Sequence, residues 1–256
     1  MRRKLLMPTC LLPLLCLPAF LHAQERDLPE RDEFRQSYPL PADARVEVKG
    51  INGAVSIETA ETSTAEVHIV RSAHQRADLE FRKVIVEQTG NRLVVRGEEE
   101  HDRGKRAEVR QRVTLKLPRQ VALNVHGING SVSVGEIGGE GVVSGVNGKV
   151  DLAQVGGMAR ISGINGSVSL KVARLGEQGL KVSGVNGRVE VQFAGDLNAD
   201  LQANGVNGKV ETDLPVTTLS EWDRASFKAK IGSGGSPISI SGVNGGVSLR
   251  KSLGSF

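Results

Sequence analysis

The motif G-[VI]-N-G occurs seven times in this chain of 256 residues. The copies are Gly50-Ile51-Asn52-Gly53, Gly127-Ile128-Asn129-Gly130, Gly145-Val146-Asn147-Gly148, Gly163-Ile164-Asn165-Gly166, Gly184-Val185-Asn186-Gly187, Gly205-Val206-Asn207-Gly208 and Gly242-Val243-Asn244-Gly245. From Gly127 onward their starts step by 18, 18, 21, 21 and 37 residues. A sustained period near 20 marks a repeat architecture, in which each unit buries its apolar face against its neighbours. Each unit holds two short alternating runs, such as Lys149-Val150-Asp151-Leu152 and Ala159-Arg160-Ile161-Ser162, with a second Gly-rich corner at Val155-Gly156-Gly157 between them. The last step is close to two units and reads as a degenerate repeat or as an insertion, at about residues 215–237.

Two folds answer to this pattern. An Asn-Gly pair between alternating apolar residues is a strong hairpin signal and suggests a meander. In a two-residue turn at Asn147-Gly148, Val143 faces Leu152 and Gly145 faces Val150, which leaves Val146 in water beside Ser144, Lys149 and Asp151. Yet the residue before Asn is Val or Ile in all seven copies. A β-solenoid accounts for this better. There each unit forms one coil, Asn-Gly turns the corner, the apolar residue points inward, and equivalent positions stack at the strand spacing. The expected class is therefore all-β: a repeat-built β-solenoid or β-roll with short strands and Asn-Gly corners, preceded by a less regular β portion. The structural corner residues are Asn52, Asn129, Asn147, Asn165, Asn186, Asn207 and Asn244. Gly and Asn tolerate the left-handed backbone of a sharp corner, and stacked Asn side chains can hydrogen-bond to their equivalents above and below. With 31 glycines and 3% aromatic residues, the core must come from Val, Ile and Leu. No convincing amphipathic helix is present in the chain after the leader.

Residues 1–23 have the layout of a signal peptide: basic Arg2, Arg3 and Lys4, an apolar run from Leu5 to Phe20 broken by Pro8, Pro13 and Pro18, and Ala23 for cleavage before Gln24. The two cysteines, Cys10 and Cys16, leave with it, which excludes disulfides, thiolate nucleophiles and cysteine metal sites. Cleavage also leaves 30 basic against 29 acidic residues, so a nucleic-acid partner loses its electrostatic basis. Residues 24–42 are charged, contain Pro and read as a tether, and residues 43–256 read as a single β-repeat domain, most regular over 127–212. Gly90-Asn91 marks a hairpin turn. Residues 98–112 carry five acids and five bases and read as a solvated loop entering a strand. Lys149 with Asp151, Arg188 with Glu190, and Lys209 with Glu211 put opposite charges on one strand face.

Catalytic chemistry finds no foothold. His68, His74, His101 and His126 are scattered, without the spacing of a metal site. Ser133, Asp151, Ser169, Glu190 and Glu211 recur at one place in the unit but form no regular acidic ladder. Gly232-Ser233-Gly234-Gly235-Ser236 is followed by Pro237 rather than the Lys-Ser or Lys-Thr of a phosphate loop. No G-x-S-x-G elbow occurs. A carbohydrate-active β-helix would need two carboxylates about one bond. Glu190 and Glu211 are the pair that adjacent coils would bring together, although Arg188 and Lys209 beside them favour ion pairing. The expectation is no catalytic residues, no cofactor and no metal.

Three stretches carry a family resemblance: YPLPADARVEVKGINGAVSI, LKLPRQVALNVHGINGSVSV and IGSGGSPISISGVNGGVSLRK. Together with the repeats between them, over roughly residues 34–251, they resemble the putative-adhesin family of bacterial envelope proteins, a domain of unknown function with β-strand repeats. The resemblance implies an exported, repeat-built β domain without catalysis, and supplies no ligand residues. The expected function is a structural or adhesin-like binding module of the cell envelope, located in the periplasm or at the cell surface. Its partner would be an envelope component, a polymer or a surface, without nucleic acid and without a membrane span. The alternatives are a periplasmic partner in envelope-stress signalling or cell-wall maintenance, and a carbohydrate-active β-helix enzyme. Contact residues are expected in the irregular pieces, at 98–112 and in the insertion holding the only Trp, Trp222.

Overall fold

Alternating apolar residues and Gly-rich corners make strands throughout. A computed structural model of the chain describes residues 28–41, 43–99, 108–153, 158–218 and 226–252. First come β1 (Glu30–Pro39), β2 (Arg45–Lys49), β3 (Gly53–Ala60), β4 (Thr64–Ala73), a one-turn helix α1 (Asp78–Phe81), β5 (Arg82–Thr89), β6 (Arg92–Glu99) and β7 (Val109–Pro118). Strand pairs on either side of an Asn-Gly corner follow: β8 (Ala122–Ile128) with β9 (Val132–Val134), β10 (Gly141–Asn147) with β11 (Val150–Leu152), and β12 (Ala159–Asn165) with β13 (Val168–Val172). Next are β14 (Leu180–Asn186) with β15 (Val189–Phe193) and β16 (Ala199–Val206) with β17 (Val210–Thr212). The chain then runs through β18 (Val216–Thr218), β19 (Ser226–Ile231), β20 (Ser236–Asn244) and β21 (Val247–Lys251). The molecule is all-β, built on two large mixed sheets.

The ten-stranded sheet has the order β1-β4-β7-β3-β9-β11-β13-β15-β21-β17, and the eleven-stranded sheet the order β18-β19-β16-β20-β14-β12-β10-β8-β2-β6-β5. The two strands at each Asn-Gly corner lie in different sheets: β10 pairs with β8 and β12, and β11 with β9 and β13. The corners are therefore not hairpin turns. Gly90-Asn91 is one, closing the antiparallel β5–β6 pair between Thr89 and Arg92.

Glycine explains why an apolar residue precedes every Asn. Gly145 adopts φ 60, a left-handed conformation. It interrupts the ladder, so that Ser144 pairs with Ser162 and the next pair is Val146 with Ile164. The inward-outward alternation slips by one residue there, and Val143 and Val146 are both buried. The second glycine is required for a different reason. A Cβ on Gly166 would lie 2.2 Å from the carbonyl oxygen of Gly148 in the neighbouring unit. Side chains from both sheets fill one continuous core running from Leu40 to Leu249, almost wholly Val, Leu, Ile and Ala, with Phe193 its one buried aromatic among the described residues.

At both ends the stacking departs from chain order. The β2–β3 unit slots between strands that all follow it in the chain, β3 between β7 and β9 and β2 between β6 and β8, with Val48 paired to both Val95 of β6 and Val125 of β8. The last unit, β20–β21, inserts between β14–β15 and β16–β17 rather than following them. The residues at 215–237 supply β18 and β19, which pair antiparallel with each other, β19 also pairing with β16. The segment read as a tether contains β1, antiparallel to β4 over ten residues. Main-chain pairing holds it there, while most of its side chains are exposed, so no alternation of apolar residues announces it.

Candidate functional site

The seven corner asparagines form one row, exposed except at Asn52, which is half-buried. Asn129 donates from Nδ2 to Oδ1 of Asn52 at 3.0 Å, Asn147 to Asn129 at 3.2 Å and Asn165 to Asn147 at 3.1 Å. Asn186 donates to Asn165 at 3.1 Å, Asn244 to Asn186 at 3.1 Å and Asn207 to Asn244 at 3.2 Å. All six bonds point the same way. At the end, Asn52 Nδ2 donates to the Val109 carbonyl at 3.5 Å, and the Asn52 backbone N–H donates to Oε1 of Gln111 at 2.9 Å. Gln111 is 4% exposed and is the one buried polar side chain of the described residues. Each interior asparagine spends one N–H and one oxygen lone pair on the row, which holds its side chain in a fixed orientation.

Interleaving of the last unit builds a different kind of surface. Parallel register places Glu190, Ser248 and Glu211 side by side on β15, β21 and β17. One step toward the corner, Gly246 lies between Arg188 and Lys209. Small residues on the middle strand, flanked by long ones on both neighbours, leave an open trough of about 500 Å³ lined by Arg188, Glu190, Lys209, Glu211, Ser248 and Arg250. Its carboxylates are engaged: Glu190 accepts from Gln192 at 2.9 Å, and Glu211 pairs with Arg250 at 3.9 Å. Arg250 Nε also donates to Ser248 Oγ at 2.9 Å. Arg188 and Lys209 form no ion pair among the described residues, so the pairs expected with Glu190 and Glu211 are not made, whereas Lys149 and Asp151 pair at 2.9 Å. Two cations without anionic partners among the described residues, above a floor of glycine and serine, suit an anionic group, with Ser248 able to hydrogen-bond beside it.

Glu190 and Glu211 are not on adjacent strands, because β21 lies between them. Two strand spacings separate their backbones by about 10 Å. Each contacts a neighbour, Glu190 with Gln192 and Glu211 with Arg250.

A second charged cluster is closed on itself. Glu47 on β2 binds Lys49 at 2.8 Å, Arg92, and His126 at 3.2 Å. Hydrogen bonds from Lys49 first and Arg92 next lower its pKa to about 2. His68 is bonded to Glu33 at 2.9 Å, and His74 lies 3.8 Å from Glu108. No group of three potential metal ligands occurs among the described residues, and no helix there is long and apolar enough to cross a membrane. Trp222 and residues 100–107 lie outside the described residues, while the remainder of 98–112 belongs largely to β6 and β7.

Sequence reasoning looked to the irregular pieces and missed the trough, which lies on the repeats. One signal was present: Gly246 is the only glycine directly after a G-[VI]-N-G motif. Its flanking by Arg188 and Lys209 depends on the strand order.

No family model matches the chain, and no curated protein is similar to it. Among solved structures, it is similar to a putative cell adhesion protein from Clostridium sporogenes, with TM-score 0.45, 11% identity, and coverage of 87% of this chain and 100% of that one. A putative adhesin from Bacteroides fragilis follows, with TM-score 0.39, 12% identity, and coverage of 88% and 99%. A putative adhesin from Parabacteroides merdae has TM-score 0.28, 12% identity, and coverage of 88% and 98%. A likeness of this degree specifies no ligand.

Proposed function

We propose that this chain is an exported, non-catalytic binding module of the bacterial cell envelope, folded as a β-solenoid that presents the β21 trough to an anionic polymer. The observation that carries this reading is the pair Arg188 and Lys209, without anionic partners and separated only by Gly246, above carboxylates that are already engaged. The stack supports it in two ways. In-register strands give the walls fixed spacing, and the asparagine row ties one corner to the next, which is the structural role proposed for those seven residues. Export rests on the leader-like residues 1–23.

The test is retention of the protein on immobilised acidic and neutral polysaccharides, for the wild type and for Arg188→Ala combined with Lys209→Ala. Retention on the acidic matrix only, weakened by salt and reduced at least about tenfold in the double variant, is the expected result. Equal retention of both proteins, or retention on the neutral matrix alone, counts against the trough. Protease shaving of intact cells then separates a surface adhesin from a protected periplasmic module whose polymer is part of the envelope itself.

A further inference from the structure

β1 ends the ten-stranded sheet, and its outer edge is ten residues long, against three in the edge strand β17 at the other side. Long edges invite pairing. The direction of its free groups follows from one bond: the Leu40 N–H donates to the Ser63 carbonyl at 2.8 Å, on the β4 side. The β1–β4 register is unbroken from Glu30 opposite Ala73 to Pro39 opposite Thr64. Antiparallel alternation therefore turns the even-numbered residues of β1 toward β4 and the odd-numbered ones toward the free edge. Two further contacts agree: the carbonyls of Pro39 and Arg31 are reached from that side by Gln88 at 2.5 Å and Arg76 at 3.4 Å. The outward N–H groups are those of Arg31, Glu33, Arg35 and Ser37. Pro39 has none to offer.

These positions are symmetric about Phe34, which is the one exposed large hydrophobic of the described residues, at 39%. We propose that β1 pairs antiparallel with β1 of a second copy of this chain, on a two-fold axis through Phe34. In that register Glu33 meets the second copy's residue 35, an Arg, and Arg35 meets its residue 33, a Glu. Arg31 and Ser37 exchange main-chain bonds in the same way, with the Arg76 side chain giving up the Arg31 carbonyl, so every outward N–H finds a carbonyl. Phe34 packs on its own equivalent at a non-hydrogen-bonded position, where side chains come closest. Pro29 and Pro39 fall opposite each other at the two ends and stop the ladder. A charged edge ordinarily repels strand addition. Here the alternating signs are self-complementary under the two-fold, so they select another β1 and disfavour other strands.

Sedimentation velocity of the exported chain tests this, alongside three variants. The wild type is expected to be a dimer. Arg35→Glu sets Glu33 against a like charge across the axis, and the dimer should weaken at least about tenfold. Exchanging both charges, Glu33→Arg with Arg35→Glu, should restore it. Arg35→Pro removes an outward N–H and no β4 bond, so it should abolish the dimer while the thermal melt still shows a folded monomer. A monomeric wild type overturns the proposal. So does a dimer indifferent to Arg35→Glu and Arg35→Pro.

Discussion

The middle of the molecule and its two ends obey different rules. From β8 to β15 each unit stacks on the one before it, in parallel and in register, so that Val132, Val150, Val168 and Val189 form one inward row. At the ends, chain order and spatial order part company. β2–β3 and β20–β21 fit between strands from other parts of the chain, and antiparallel strands finish both sides of the eleven-stranded sheet and the β1 side of the ten-stranded one. The middle is repetitive because each position must satisfy an identical neighbour above and below. The ends are released from that requirement, and both surfaces assigned a role here lie there: the trough around β21 and the free edge of β1. Repetition supplies rigidity, and its interruption supplies individuality.

The sharpest break in the comparison is a methyl group. Gly166→Ala, in the middle, places a Cβ 2.2 Å from the Gly148 backbone oxygen. Neither backbone can withdraw without disturbing the whole stack, so a loss of at least about 4 kcal/mol is expected in chemical denaturation. Gly90→Ala, in the end hairpin, meets nothing within 4 Å and keeps only the cost of φ 57. It should lose about 1 kcal/mol. Equal losses at the two sites would erase the distinction.

Next is the asparagine row. Asn165 both donates to Asn147 and accepts from Asn186. Asn165→Ala should cost about 1–2 kcal/mol, against about 1 kcal/mol for Asn207→Ala, which removes a single bond at the end of the row. An unchanged melting temperature for Asn165→Ala would show that the row contributes nothing.

The smallest effect belongs to Glu47. Its pKa is held at about 2, below the 4.5 of an unperturbed glutamate. A carboxylate depressed in the folded state contributes stability that is present above its unfolded pKa and lost as pH falls toward the folded value. The window is therefore pH 4.5 down to about 2. Lys49 and Arg92 are 35% and 58% exposed, so solvent screening limits the contribution to about 1 kcal/mol. Glu47→Gln should flatten that part of the stability profile; a profile unaltered by the change would remove the cluster from the account.

Much of the β structure was legible because alternation and turn residues are local. Val46, Val48, Val113 and Leu115 alternate with charged or polar residues and are buried, and Gly90-Asn91 closes the hairpin that its residues imply. The constant apolar residue before Asn was legible as an inward position, although the phase slip at Gly145 that turns it inward was not. β1 escaped notice because main-chain bonds hold it, and its side chains are mostly polar or charged and exposed. The interleaving left no local trace either, since a step of 37 residues reads as an insertion wherever the final unit lands. Two of the three expected ion pairs are not made, and one of these for the same reason. Arg188 and Glu190 are two apart in sequence, but Glu190 instead accepts from Gln192 on its own strand, and Glu211 turns to Arg250 on the strand that intervenes.

The most direct test of the trough is a hydrogen-exchange footprint with an acidic polysaccharide present and absent. The account predicts new protection at residues 188–190, 209–211 and 246–250, lost in the Arg188→Ala and Lys209→Ala double variant, with the row of corners from Asn129 to Asn165 unaffected. Protection spread evenly over the stack, or confined to the β1 end, would contradict it.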